Sequence, residues 1–315
     1  QIRNGIKISL RRNGKEDFDF VKLVDFDRPE NNTFTAVSQM WIQGRVYWRR
    51  PDVLIFINGL PMVFVELKNS IVKVEEAYND NLKNYLRDIP NLFAFNQICV
   101  LSNGLETRLG AFNATYNHFF EWLKVDSEKE RPDRQALKEA GTVGESSVRY
   151  FIDGLLQKGR LIDYIENFIM FRNQKNKIIA KNHQYFGVNN LMESVKNRAE
   201  LQGKLGVFWH TQGSGKSFSM VFFARKVRRK IPGNFTFLII TDREDLDDQI
   251  HKNFVKTEVI GQKEECQPKN GKQLRDYLQT NKSFIFTLIH KFRYDKGKKY
   301  PVLSTRDDII VLVDE

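Results

Sequence analysis

Two groups of residues in this 315-residue chain have the types and spacing for chemistry. The first is His210-Thr211-Gln212-Gly213-Ser214-Gly215-Lys216-Ser217. It follows an apolar run, Leu205-Gly206-Val207-Phe208-Trp209, and precedes a helical pattern from Phe218 to Arg225. Strand, glycine loop and helix form the context in which backbone N–H groups turn inward around phosphate, aided by the positive end of the helix dipole. In that role Gly213, Ser214 and Gly215 shape the loop, Lys216 reaches the β- and γ-phosphates of a nucleoside triphosphate, and Ser217 ligates Mg²⁺. His210 stands where the strict pattern has glycine, so Gly213 and Gly215 carry the turn. A second acidic anchor follows the apolar strand Ile309–Val313, where the chain reads Asp314-Glu315. Asp314 is placed to hold the Mg²⁺ shell and Glu315 to polarise the attacking water. The plain alternatives are a Gly/Ser-rich surface turn and a strand that merely ends in acids.

The second group lies upstream. Arg49-Arg50-Pro51-Asp52 leads into Val53–Ile57, and Asn58-Gly59-Leu60-Pro61 leads into Met62-Val63-Phe64-Val65-Glu66-Leu67-Lys68. Two apolar runs around Asn-Gly predict an antiparallel hairpin. A three-residue loop pairs Asp52 directly with Glu66. A two-residue loop sets Asp52 against Val65, diagonal to Glu66. In both cases the carboxylates approach at one end of the hairpin, and Lys68 shares a face with Glu66. Two carboxylates offer hard oxygen ligands to Mg²⁺, which activates water for attack on a phosphodiester, while a lysine positions that water or stabilises developing charge. Arg49 and Arg50 are placed where a DNA backbone could pass. An acid-x-Lys on a solvated strand edge is the plain alternative.

The elements that must hold these groups follow from pattern. Apolar strands at Leu205–Trp209, Phe235–Thr241, Phe284–Ile289 and Ile309–Val313 alternate with polar helical stretches, which predicts a parallel sheet covered on both faces. The expected fold is α/β: a mixed-sheet domain over 1–125, an exposed linker over 126–147, bridging helices over 148–180 and a parallel-sheet domain over 181–315. Net charge is +11, which favours a polyanion such as DNA as partner. Cys99 and Cys266, with no disulfide framework, fit a reducing cytoplasm. No apolar run is long enough to span a membrane. The start at Gln1 and the end at the strand carrying Asp314 suggest a piece of a longer protein.

The motif wording carries a resemblance. TQGSGKS, TDREDLDDQ, TLIHKF and VDE in order are similar to the first motifs of superfamily 2 helicases and translocases, whose RecA-like domains hold ATP between them. That resemblance implies DNA-backbone contacts by Arg243 and Lys291. It implies adenine recognition by Gln184 in His183-Gln184-Tyr185-Phe186. The upstream group matches the PD-(D/E)xK pattern of restriction-endonuclease-like folds as P51-D52…E66-L67-K68. Nuclease followed by motor, together with Leu101–Arg108, resembles the restriction (R) subunit of type I restriction–modification enzymes over nearly the whole chain. That family's Gln-x-x-x-Tyr element is matched by Asn81 to Tyr85, with asparagine in place of glutamine. The resemblance implies ATP-driven translocation of double-stranded DNA, Mg²⁺-dependent cleavage away from the recognition site, and methyltransferase and specificity subunits as partners. It also implies a second motor domain outside these residues, without which ATP is bound weakly and turned over negligibly. Two other readings stay open: a stand-alone nuclease–helicase, and a DNA- and nucleotide-binding fragment without turnover.

Overall fold

In the computed structural model, residues 2–12, 15–127, 129–130, 146–293 and 302–314 are described. The chain divides into two units, one comprising 1–170 with 176–186 and the other 171–175 with 187–315.

The first unit is built on a six-stranded mixed sheet. After a hairpin of β1 (Ile6–Arg12) and β2 (Lys15–Val21), the chain forms β3 (Phe34–Ser38) and a short hairpin, β4 (Ile42–Gln43) with β5 (Trp48–Arg49). Then come β6 (Val53–Ile57), β7 (Leu60–Leu67), β8 (Ile98–Ser102), β9 (Thr107–Gly110) and β10 (Phe120–Glu121). The order across the sheet is β10-β9-β8-β7-β6-β3. Only β7 and β8 run parallel, and the chain between them makes a helical crossover: α over α1 (Val74–Glu76), π over Ala77–Leu82, and α again over α2 (Lys83–Asp88). Val74, Ala77, Leu82, Tyr85 and Ile89 recur at helical spacing and bury against Leu54, Phe64 and Leu101 of the sheet.

Two helices, α3 (Ser147–Leu155) and α4 (Lys158–Asn167), then a hairpin of β11 (Ile169–Arg172) and β12 (Asn176–Ile179), follow the sheet. Both helices fall inside the first unit. The Ser147 hydroxyl meets that of Thr107 at 2.8 Å, and Tyr164 packs edge-on against Trp122 at 5.7 Å. The linker expected over 126–147 lies largely outside the described residues.

From α5 (Asn182–Lys196), which the unit boundary divides, the chain enters the second unit: α6 (Lys216–Lys230), β13 (Thr236–Thr241), α7 (Glu244–Lys256), α8 (Gly271–Gln279), β14 (Phe284–Leu288) and β15 (Ile309–Val313). The strands form a parallel sheet in the order β14-β13-β15. Rings knit its core: Phe237 stacks on Phe284 at 5.3 Å, and Phe254 meets Phe284 and Phe286 edge-on.

One expected strand is not formed. Leu205–Trp209 pairs with nothing in the sheet, and Val207 is 93% exposed. Gly206 sits at φ 121°, a backbone state outside the extended region that interrupts the run. The edge of β15 away from β13 carries no strand among the described residues, and Val311 and Val313 stand exposed.

Candidate functional site

The β6–β7 hairpin resolves the choice between loop lengths in an unexpected way. Ile57 pairs with Leu60, so the loop has two residues, Asn58 and Gly59, at φ 50° and 80° as a type I′ turn requires. The register then shifts between Ile55 and Phe56, and Val53 pairs with Val65. That bulge at Met62 adds back the residue that the tight turn removed. Asp52 therefore stands opposite Glu66 despite the short loop.

The two carboxylates occupy different environments. Asp52 accepts the Leu67 N–H at Oδ2 (2.8 Å), which ties it to the end of β7. Glu66 lies on the face of β7 that carries Phe64, toward the crossover helix, and is 3% exposed. Asn81 Nδ2 donates to Glu66 Oε1. Glu66 Oε2 is buried and has no hydrogen-bond partner among the described residues. Burial first, and the neighbouring Asp52 charge second, push the Glu66 carboxyl up to about 8, while Lys68 pulls it down. Lys68 continues the pairing of β7 through its N–H to Ser102 O (2.7 Å).

Asn81 lies in the π segment, a feature common at functional sites. One turn on, the Tyr85 ring packs edge-on against Phe64 at 5.6 Å and its hydroxyl donates to Arg50 O (3.3 Å). Burial, then the Glu66 charge, raise the Tyr85 phenol. Asp52, Glu66, Lys68, Asn81 and Tyr85 are thus gathered at one end of the hairpin. Of the two arginines, Arg49 is engaged with Asp88, through Nε to Oδ2 at 2.7 Å. Arg87, then Arg49, hold the Asp88 carboxyl down at about 2. Arg50 is exposed and lies over the Trp41 ring at 5.1 Å. Asp88 as the anchor of Arg49 was not foreseen; no local motif links residues so far apart in sequence.

The donor set suits Mg²⁺ rather than a metal that needs a full protein cage. Among the described residues no group of three His, Cys, Asp or Glu side chains assembles to hold a metal. Mg²⁺ characteristically takes one or two carboxylates and fills its other positions with water and phosphate oxygens. A buried carboxylate oxygen without a partner, opposite a second carboxylate, meets that demand.

In the second unit, the loop before α6 has the backbone of a phosphate cradle. Gly213 is at φ 76°, and Gly215 caps α6 at φ 94°, ψ 32°, both left-handed. Among the described residues nothing stands within 4 Å of where a Gly213 Cβ would be. Ser214 N–H closes the turn on Thr211 O at 3.2 Å. Lys216 and Ser217 form the first turn of the helix. Toward its other end Arg225 lies beside Glu258, and Arg228 stacks over Phe284 at 5.4 Å, at the amino end of β14. The helix therefore runs back against the strands, and the loop faces their carboxyl ends.

At that same edge, Asp314 N–H donates to Ile240 O at 2.9 Å, extending the β13–β15 ladder by one bond. Glu315 lies outside the described residues. Arg243 caps α7 and is exposed, 3.7 Å from Asp242. Lys291 donates through Nζ to Pro268 O at 2.7 Å. Gln184 is buried, and its Oε1 accepts from Lys181 N–H at 2.9 Å; it belongs to the first unit and the loop to the second.

Comparison with known proteins divides the chain at a similar place. A family described as "Type I restriction enzyme R protein N terminus" matches residues 1–118, and one described as "SWI2/SNF2 ATPase" matches residues 183–315. The Type I restriction enzyme HindI endonuclease subunit of Haemophilus influenzae is 35% identical over 100% of this chain and 30% of its own length. The Putative type I restriction enzyme MjaIXP endonuclease subunit of Methanocaldococcus jannaschii is 33% identical over 99% of this chain and 31% of its own. The chain thus spans about a third of the length of these curated relatives.

Proposed function

We propose a function from one premise: the chain belongs to the family of type I restriction enzyme endonuclease subunits. On that premise the first unit is a PD-(D/E)xK nuclease domain of restriction-endonuclease-like fold. The second is the first RecA-like domain of a superfamily 2 translocase. The protein pulls double-stranded DNA with ATP and cuts it away from a site read by its methyltransferase and specificity partners, in the cytoplasm.

The observation that carries the nuclease reading is Glu66. It is a buried carboxyl with one oxygen held by Asn81 and the other without a hydrogen-bond partner among the described residues, opposite Asp52. Mg²⁺ held by Asp52 and Glu66 would polarise a scissile phosphate and acidify a bound water. The chain's own residues prepare that chemistry. Asn81 fixes Glu66 Oε1 and so orients Oε2. Tyr85 holds the Arg50 carbonyl and with it the approach to Asp52. Lys68, close enough to Glu66 to oppose its protonation, is placed to donate to oxygens on which charge develops. In the second unit, Gly213, Ser214, Gly215, Lys216 and Ser217 would hold ATP and its Mg²⁺ together with Asp314. Arg243, exposed at the start of α7, is available to a DNA backbone; Lys291 has its ammonium on a carbonyl and must exchange that bond for a phosphate. Adenine contact by Gln184 and water activation by Glu315 complete the reading.

The test is nicking of supercoiled plasmid with Mg²⁺ by the wild-type chain, Glu66→Ala and Lys68→Ala. The proposal expects nicking by the wild type alone. Equal nicking by all three discards the nuclease assignment.

A further inference from the structure

Just before Asp52, the sequence Trp41-Ile42-Gln43-Gly44-Arg45-Val46-Tyr47-Trp48-Arg49-Arg50 contains three aromatic rings, three arginines and no acid. It forms the β4–β5 hairpin, with Ile42 paired to Arg49 and Gln43 to Trp48. Alternation divides its side chains between two faces. The inner face is anchored: Ile42 packs against the core of the first unit and Arg49 pairs with Asp88. The turn is pressed onto the end of α2, where a Cβ on Gly44 would stand 2.1 Å from Asp88 O. The outer face carries Trp41, Gln43, Trp48 and Arg50. Trp41 is 59% and Trp48 56% exposed, and the Arg50 guanidinium lies on the Trp41 ring. The hairpin is therefore held rigidly from beneath while it offers indole faces to solvent, against the usual tendency of large rings to be covered.

We propose that this outer face is a stacking platform for an unpaired DNA strand at the cleavage site, with Trp41 and Trp48 taking bases and Arg50 a backbone phosphate. Three features select that occupant. The segment is cationic without a compensating acid on its outer face, which suits a polyanion. Ring faces stack on bases only where those bases are already out of a duplex, and such stacking tolerates any sequence. Finally, the platform is continuous with the site: Tyr85 donates to the Arg50 carbonyl and also lies beside Glu66, and Asp52 follows Arg50 by two residues. Cleavage would then favour DNA that is frayed or unwound where it reaches the hairpin. The location of the platform beside a cutting site rests on the nuclease reading; its binding of unpaired DNA does not.

The test measures binding of labelled oligonucleotides to the 315-residue chain by fluorescence anisotropy in EDTA, so that no cleavage step enters. The wild type should prefer a single strand to a blunt duplex of equal length. Trp41→Ala with Trp48→Ala should weaken single-strand binding about ten-fold or more and duplex binding far less, while Trp41→Phe with Trp48→Phe should restore most of the loss because a ring remains. The exposed positions leave the thermal melting curve unchanged, which separates lost contact from lost fold. Single-strand binding by the double alanine variant at wild-type strength overturns the proposal. So does unchanged DNA binding accompanied by lost association with a methyltransferase or specificity subunit, since the face would then belong to a protein. Plasmid nicking with Mg²⁺ judges the nuclease reading separately.

Discussion

The two sites of this chain differ in how far their architecture is assembled. In the first unit, Asp52, Glu66, Lys68, Asn81 and Tyr85 are brought together by one hairpin and the helix that follows it, and burial has already raised the Glu66 carboxyl and the Tyr85 phenol. In the second, the glycine loop has its left-handed turns and its helix, but the strand expected to lead into it lies outside the sheet. The difference is one of range. A hairpin with an adjacent crossover closes short loops, so local signals suffice to place its side chains. A parallel sheet draws neighbouring strands from distant parts of the chain, and here Val207 and Trp209 of the pre-loop run stay exposed, while the β15 edge away from β13 carries no strand among the described residues.

The largest expected effect tests whether the first site is as complete as its geometry. Asp52→Ala should lower Mg²⁺-dependent cleavage about a thousand-fold or more, and Lys68→Ala about a hundred- to a thousand-fold, in single-turnover plasmid assays. Lys216→Ala should reduce ATP binding by the second unit while plasmid nicking with Mg²⁺ alone stays unchanged; nicking that falls with it would show the two sites to be one. Asn81→Leu should weaken Mg²⁺ affinity about ten- to a hundred-fold, as loss of a group that orients a ligand does.

Much of this was legible in the sequence. The Asn-Gly turn, the acid-x-Lys spacing and the Asn81–Tyr85 interval all lie within a short stretch, and each appears where the pattern placed it. The bulge at Met62 was not legible. It has no residue signature, and only the pairing of Val53 with Val65 exposes it. Nor does composition show which way Trp41 and Trp48 face; that appears only once Ile42 and Arg49 are seen to occupy the inner face of β4–β5. Leu205–Trp209 taught the opposite lesson. Its apolar content predicted a buried strand, yet apolar content does not supply a pairing partner, and Gly206 relaxes the backbone within it.

Two smaller effects follow from burial. Glu66 titrates near 8 in the folded protein against about 4.5 when exposed, so the folded state retains a proton that the unfolded chain loses. In metal-free buffer its contribution to stability is therefore fully present below about pH 4.5 and is lost as pH rises toward 8. Glu66→Gln should accordingly raise the melting temperature by a few degrees above pH 8 and leave it nearly unchanged at pH 4, read by circular dichroism. Phe64→Ala, in the core beneath the first site, should cost about 3–5 kcal/mol. Val207→Ser, in the exposed run before the glycine loop, should alter stability by no more than about 0.5 kcal/mol. A large loss at Val207 would mean that the run is buried and would erase the contrast between the two sites.

The most direct test of the central claim, that Glu66 is a protonated carboxyl prepared to receive a cation, is calorimetric titration with Mg²⁺ near pH 7 in two buffers of different ionisation heat. The wild-type chain should release close to one proton for each ion bound at this site, because the carboxyl that titrates near 8 must ionise to bind it. Glu66→Gln should bind more weakly and release none. Mg²⁺ binding of equal strength in both proteins, with no proton released by the wild type, would contradict the account.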